Sequence, residues 1–283
     1  MSESDKKIKH FVIMRFFTFY DKKYPYDIYD VNFLRQQIIL ARNALGSLEN
    51  QTNKNFELVF MVNDKFFVDS KYEFIFSSLK NSTSLPITFI KRNDIKLLTK
   101  DALNEYNYVI TSRMDFDDFI YKDAIAIAQG KVDECDSILA HGYCKGYIYR
   151  QRASELYNFA HMCKGIGFVA ILISLILKSS FAKNLPLINV YSFKHGSVKT
   201  RMERFLKKNN IVFSENMFQP DSSTRAFIYF WHEASHWAST RNKNDTQTEP
   251  INKVIKPGLT TSDITKKQLE EEFGFFHELN SIK

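Results

Sequence analysis

Four short apolar runs, separated by amphipathic or polar stretches, occupy the first 111 residues, and this alternation is the strongest constraint on the fold. HFVIMRFF (10–17), FELVFMV (56–62), ITFIK (87–91) and YVIT (108–111) have strand length and are too short for core helices. Between the first two lies NFLRQQIILARNALGSLENQT (32–52). Its Leu34, Ile38, Ala41, Leu45 and Leu48 fall at alternating four- and three-residue steps, which makes one apolar stripe on a helix. KYEFIFSSLK (71–80) and DALNEY (101–106) are the next helical stretches. The order β-α-β-α-β-α-β predicts an α/β fold: a mostly parallel central sheet flanked by helices. Such sheets bind ligands beyond the carboxyl ends of their strands. Arg15 lies near the end of the first strand, and Asn63 and Asp64 follow the second.

The second half is less regular. KDAIAIAQ (122–129) reads as a helix, and SILA (137–140) with GYIY (146–149) as a strand pair. GIGFVAILISLIL (165–177) is apolar, but a spanning helix needs about 20 residues, so a buried core segment is expected. Its flanking Lys164, Lys178 and Lys183 also fit contact with an anionic membrane surface. INVYSF (188–193) reads as a strand leading into His195, and a helix is expected over 199–209. RAFIYFWHEASHWAST (225–240), a polar loop over 241–262 and a terminal helix over 265–276 complete the chain. No repeat or linker is visible, so a single domain over 1–283 is expected, with irregular C-terminal additions.

The formal charge of +7 fits nucleic acid, anionic membrane or phosphorylated small molecules. No basic helix with interleaved aromatics and no zinc-finger spacing is present, so no nucleic-acid partner is expected. The densest basic segment, KTRMERFLKKNN (199–210), reads as a solvated helix face. Cys135, Cys144 and Cys163 show no CxxC spacing and suit reduced thiols in the cytosol. MSESDKKIKH has no apolar core, so no signal peptide is read there.

TSRMDFDDFI (111–120) sets Asp115, Asp117 and Asp118 within four positions, just past the fourth apolar run. Like charges this close repel one another. A haloacid-dehalogenase phosphatase would need Thr or Val where Phe119 stands, and an EF-hand needs a Gly and a distal Glu that do not follow. An acidic loop capping a helix near Tyr121, through Asp118 or Asp123, is the structural alternative. The chemical one is Mg²⁺ or Mn²⁺ held by carboxylates against a diphosphate, since hard cations prefer oxygen ligands.

HFVIMRFF, LRQQIILARNALGSLENQTNKNFELVFMVND and TSRMDFDDFI together resemble the nucleotide-sugar glycosyltransferases of the GT-A fold. Within them the chain is most similar to the bacterial family described as rhamnosyltransferases. The resemblance covers residues 8–125 well and continues more weakly through VYSFKHG (190–196), FIYFWHEASHW (227–237) and EEEFGF (270–275). It implies a nucleotide-binding half over 8–125, and an acceptor-binding half with C-terminal helices over 126–283. It implies that Asp115 meets the ribose or the metal, that Asp117 and Asp118 ligate Mn²⁺ or Mg²⁺, and that a late histidine, His232 before His236, adds a ligand. Arg15 would sit near the base or phosphates, Asn63 and Asp64 would border the nucleotide pocket, and Glu233 is a candidate base. Arg113 either meets a phosphate or balances Asp115; His195 faces the acceptor or is buried. The donor would be a nucleotide sugar and the acceptor a surface glycan or lipid-linked glycan, handled in the cytoplasm or on the inner membrane face. HEASH (232–236) also matches H-E-x-x-H, so a zinc hydrolase is the rival from another class, beside a non-catalytic sugar- or nucleotide-binding relative.

Overall fold

A computed structural model describes residues 6–18, 27–150, 155–160, 173–193, 197–231, 260–262 and 264–274. The first four strands are β1 (Ile8–Phe16), β2 (Glu57–Val62), β3 (Ile87–Lys91) and β4 (Tyr108–Asp115). They are all parallel and lie in the spatial order β3-β2-β1-β4. Helices connect them: α1 (Val31–Glu49), α2 (Asp64–Val68), α3 (Glu73–Lys80) and α4 (Ile95–Glu105).

β1 reads as a continuous apolar run because both of its faces are covered. Val12, Met14 and Phe16 join Leu58, Phe60 and Val62 beneath the α1 stripe of Leu34, Ile38, Ala41, Leu45 and Leu48. Phe11 and Ile13 join Val59, Met61 and Val109 on the other face, with Ile95 and Leu103 of α4. The two-residue period of a strand thus sorts one run of sequence into two cores. α1 begins where Asp30 accepts a hydrogen bond from the Phe33 N–H at 2.7 Å, an N-cap for a donor the helix leaves unpaired.

The parallel character ends at β4. After β5 (Phe119–Ile120) and α5 (Ala124–Gly130) come β6 (Ile138–Arg150), β7 (Glu155–Ala160) and β8 (Ile173–Lys178). β8 runs antiparallel between β4 and β6, so one sheet joins both halves of the described chain. α6 (Ser179–Ala182) and α7 (Val198–Lys208) follow, then β9 (Phe218–Trp231), β10 (Thr260–Thr261) and α8 (Lys266–Phe273). β9 lies parallel to β6 and antiparallel to β5, and β10 extends the sheet beyond β7. The architecture is α/β with a large mixed sheet between helices, and it is GT-A-like.

Several expectations change. The pair 137–140 and 146–149 is a single 13-residue strand, because β6 finds partners on both sides: β8 and β7 on one course, β9 on the other. Residues 188–193 form a short 3₁₀ turn (Val190–Ser192), closed by a capping box between Asn189 and Ser192 rather than by strand pairing. The apolar segment 165–177 contributes β8 over its described part, and Ile173, Leu175, Ile176 and Leu177 are buried inside the sheet. They are not a membrane-facing surface; 165–172 lie outside the described residues. Among the described residues no helix is long and apolar enough to cross a membrane. The 199–210 segment is α7, which buries Val198, Met202 and Leu206 and turns Lys207 and Lys208 to solvent. Cys135 is a free buried thiol, but Cys144 is disulfide-bonded. Pairing depends on how the fold brings sulfurs together, which spacing does not reveal. Cysteine usage therefore gives no support to a reducing compartment.

α8 folds back so that its Phe273 meets the Tyr121 and Tyr147 rings, and Asn50, just past α1, donates to the Glu271 carbonyl at 3.5 Å. It stops at Gly274, whose φ of +64° is the left-handed cap that favours glycine. A Cβ there would come within 2.7 Å of the Asn50 Cβ.

Candidate functional site

The chain runs from β1 outward to β2 and β3, then returns to place β4 on the other side of β1. The connections leaving β1 and β4 therefore diverge, the arrangement in which a ligand is expected above the carboxyl ends of the strands. What the sequence places there is charged. Arg15 and Asp115 are direct register partners across the β1–β4 pair. They share a sheet face with Ile13 and Arg113 by the two-residue period.

The Arg15 Nη2 donates to both oxygens of Asp115, at 3.0 and 3.1 Å. Arg113 approaches the same carboxylate, with its Nη2 3.6 Å from Oδ1. Arg15 and Asp115 are each 32% exposed at the side chain, and Arg113 is 11% exposed. The Arg113 guanidinium carbon stands 5.2 Å from the Tyr191 ring centre, and the Tyr191 hydroxyl donates to the Ile13 carbonyl at 3.2 Å. Burial pushes the Tyr191 phenol well above its ordinary range, so it stays a neutral donor. The Val190 N–H donates to Thr111 Oγ1 at 2.9 Å, which pins the 3₁₀ turn against β4. Tyr191 escaped the sequence reading because it is 76 residues from Asp115; an aromatic at the end of an apolar stretch was its only signal.

The ends of β1 and β4 are also locked by aromatic packing. Phe116 meets Phe16 at 4.9 Å and Phe17 at 5.1 Å, and Phe17 meets Phe33 of α1 at 5.5 Å. Phe17 has φ +45°, an uncommon conformation for a bulky side chain. The ring cluster over-determines that strained backbone at the carboxyl end of β1.

The acidic segment divides. Asp115 is the last residue of β4 rather than the first beyond it, because pairing with β1 carries the strand four residues past Thr111. Residues 115–118 then turn, with the Asp118 N–H donating to the Asp115 carbonyl at 3.3 Å. Asp117 is half-buried, and Asp118 is buried at 1% exposure. The helix-cap alternative fails. α5 starts at Ala124, and Asp123 at its N-cap makes no capping bond; its carboxylate accepts from Thr52 Oγ1 at 2.7 Å. Asn63 caps α2 instead, accepting from the Lys65 N–H at 3.0 Å, and Asp64 is exposed in the first turn of that helix. Both stand at the carboxyl end of β2, on the same edge as Arg15. His195, His232, Glu233 and His236 lie outside the described residues.

Among the described residues, no three His, Cys, Asp or Glu side chains come together as a metal-binding group. Asp115 faces two guanidinium groups rather than open space.

No protein-family model matches the chain, and no curated protein matches it. Among solved structures, Staphylococcus aureus TarS aligns over 82% of this chain and 38% of its own, at 12% identity and a TM-score of 0.38. A TarS fragment, 1–349, aligns over 78% and 60%, at 14% identity and the same TM-score. HddC from Yersinia pseudotuberculosis aligns over 79% and 93%, at 14% identity and a TM-score of 0.36. The chain thus spans well under two thirds of the full TarS chain. Likenesses this distant carry no weight for activity.

Proposed function

We propose that the chain is a glycosyltransferase that moves a sugar from a nucleoside diphosphate donor to a hydroxyl of a surface-glycan or lipid-linked acceptor. One observation carries this reading: charged side chains of β1 and β4 converge at the switch point of a GT-A-like sheet, where an anionic ligand is expected. In the transfer, the acceptor oxygen bonds to the anomeric carbon as the bond from that carbon to the diphosphate oxygen breaks. The nucleoside diphosphate leaves with the electron pair, and the acceptor proton passes to a carboxylate base. Glu233 is the proposed base. Cations fixed around the leaving group stabilise the charge that develops on it, and this contribution is commonly the largest in such sites.

Asn63 and Asp64, at the end of β2, are proposed to border the nucleotide. Asp117 and Asp118 are proposed to face Mn²⁺ or Mg²⁺ if a cation takes part, with His232 completing that set. A rhamnosyl donor and work at the inner membrane face belong to the same proposal.

Thermal-shift measurements with UDP, GDP, dTDP and CMP, each with Mn²⁺ and with EDTA, test it. A ligand that binds only the native state raises Tm. A rise with one nucleotide supports the reading, and no rise with any nucleotide refutes it. A rise with Zn²⁺ alone favours a hydrolase built on HEASH.

A further inference from the structure

We infer that the diphosphate of the donor is held by the paired guanidinium groups of Arg15 and Arg113, and that Asp115 is the resident anion it displaces rather than a metal ligand. This rests on the nucleotide-sugar reading above and departs from what the GT-A resemblance implies for Asp115. Three observations support it.

First, Asp115 is already engaged by two cationic side chains. Two guanidinium groups approach one carboxylate, at 3.0 and 3.1 Å from Arg15 and 3.6 Å from Arg113. A divalent cation placed against Asp115 would be repelled by both. A diphosphate would gain from both, and guanidinium groups match phosphate oxygens in shape as well as charge.

Second, the cluster is fixed in place yet reachable. Arg113 lies against the Tyr191 ring, and the Tyr191 hydroxyl is bonded to the β1 backbone at Ile13. Arg15 and Asp115 retain about a third of their exposure, so a ligand has access to the ion pair itself. The contact between Arg113 and Asp115 is the longer one, and it is the first that an incoming anion would replace.

Third, no group of three His, Cys, Asp or Glu side chains that could hold a metal forms among the described residues. Asp118 is buried, while Asp115 accepts from Arg15.

The test uses inorganic pyrophosphate, the part common to all nucleoside diphosphates, titrated calorimetrically into the full chain in EDTA and again in Mn²⁺. Pyrophosphate is expected to bind in EDTA, and R15Q and R113Q are each expected to weaken it at least tenfold. D115N, which removes the competing anion, is expected to tighten it several-fold. R113K keeps charge without the fork and should fall between wild type and R113Q. Melting curves of each variant separate lost binding from lost folding. Binding that requires Mn²⁺ and disappears in D115N overturns the inference while leaving the nucleotide-sugar reading intact. So does binding in EDTA that neither arginine variant changes. If neither pyrophosphate nor any of the four nucleotides binds under either condition, both fail together.

Discussion

β1 and β4 carry two polar clusters only a few residues apart, and the clusters are opposites. In the middle of the strands, His10 Nε2 lies 2.7 Å from Ser112 Oγ, which lies 2.6 Å from Ser174 Oγ on β8. The other His10 nitrogen is 3.3 Å from the Gln129 amide, and that amide donates to the Asn55 carbonyl at 2.7 Å. His10, Ser112 and Ser174 are all about 1% exposed or less, and burial drives the His10 pKa down to about 3. With Nδ1 accepting from an amide N–H, Nε2–H is the donor to Ser112, and the ring is neutral. At the carboxyl ends of the same strands, the Arg15–Asp115–Arg113 group is charged and partly open. A buried, neutral and fully paired chain ties three strands together, whereas the group at the rim is charged and partly open. Polarity on these strands takes two forms here, and depth separates them.

The contrast can be broken at either end. His10→Ala leaves a cavity and strips a partner from Ser112, so a loss of about 3 kcal/mol in unfolding free energy is expected. Nucleotide-induced shifts should survive it; their disappearance would mean that the two clusters are coupled. Arg113→Gln should show the reverse, with about 2 kcal/mol lost from pyrophosphate binding and little change in Tm. A large drop in Tm with unchanged binding would make the rim cluster structural.

Acid acts on the buried cluster. His10 has a lowered pKa in the native state, so below pH 6.5 the unfolded chain takes up a proton that the folded chain refuses until about pH 3. Its contribution to stability is therefore full above pH 6.5 and is lost as pH falls through that window, by about 2 kcal/mol at pH 5. His141, lowered to about 4 by burial first, adds in the same direction. Denaturant midpoints at pH 7 and pH 5, compared with a His10→Gln variant, read this directly: the variant should show the shallower fall. The smallest effect is expected at Tyr191→Phe, which deletes the bond to the Ile13 carbonyl. About 1 kcal/mol of stability should go, with a weaker hold on Arg113 seen as a several-fold loss of pyrophosphate affinity. Loss of stability without loss of affinity would separate the turn from the site.

Much of the first half was readable in advance. The runs at 10–17, 56–62 and 87–91 are strands within a residue or two of their ends, and the stripe from Leu34 to Leu48 is the buried face of α1. These elements are recognisable because each is covered by its neighbours in a way that leaves a periodic apolar signature. Arg15 and the acidic segment stood out for the converse reason: charge interrupting or ending an apolar run. The second half was harder. β6 looked like two strands because small and polar residues such as Gly142 and Lys145 interrupt its apolar pattern, and pairing on both sides overrides that interruption. β8 looked like a general apolar segment, since a strand buried on both faces has no alternation to betray it.

Composition and periodicity by themselves determined the α/β class, the order of the first four strands along the chain and the residues at their carboxyl ends. Only the tertiary structure decided that β4 would lie beside β1, that Arg15 would therefore face Asp115, and that Tyr191 would reach across to hold Arg113. The reason is physical. Periodicity records whether a side chain is covered, and solvent contact is a property of one residue and its near neighbours. Which charge meets which depends on strand order and register, and these are settled by contacts a hundred residues apart that leave no local trace.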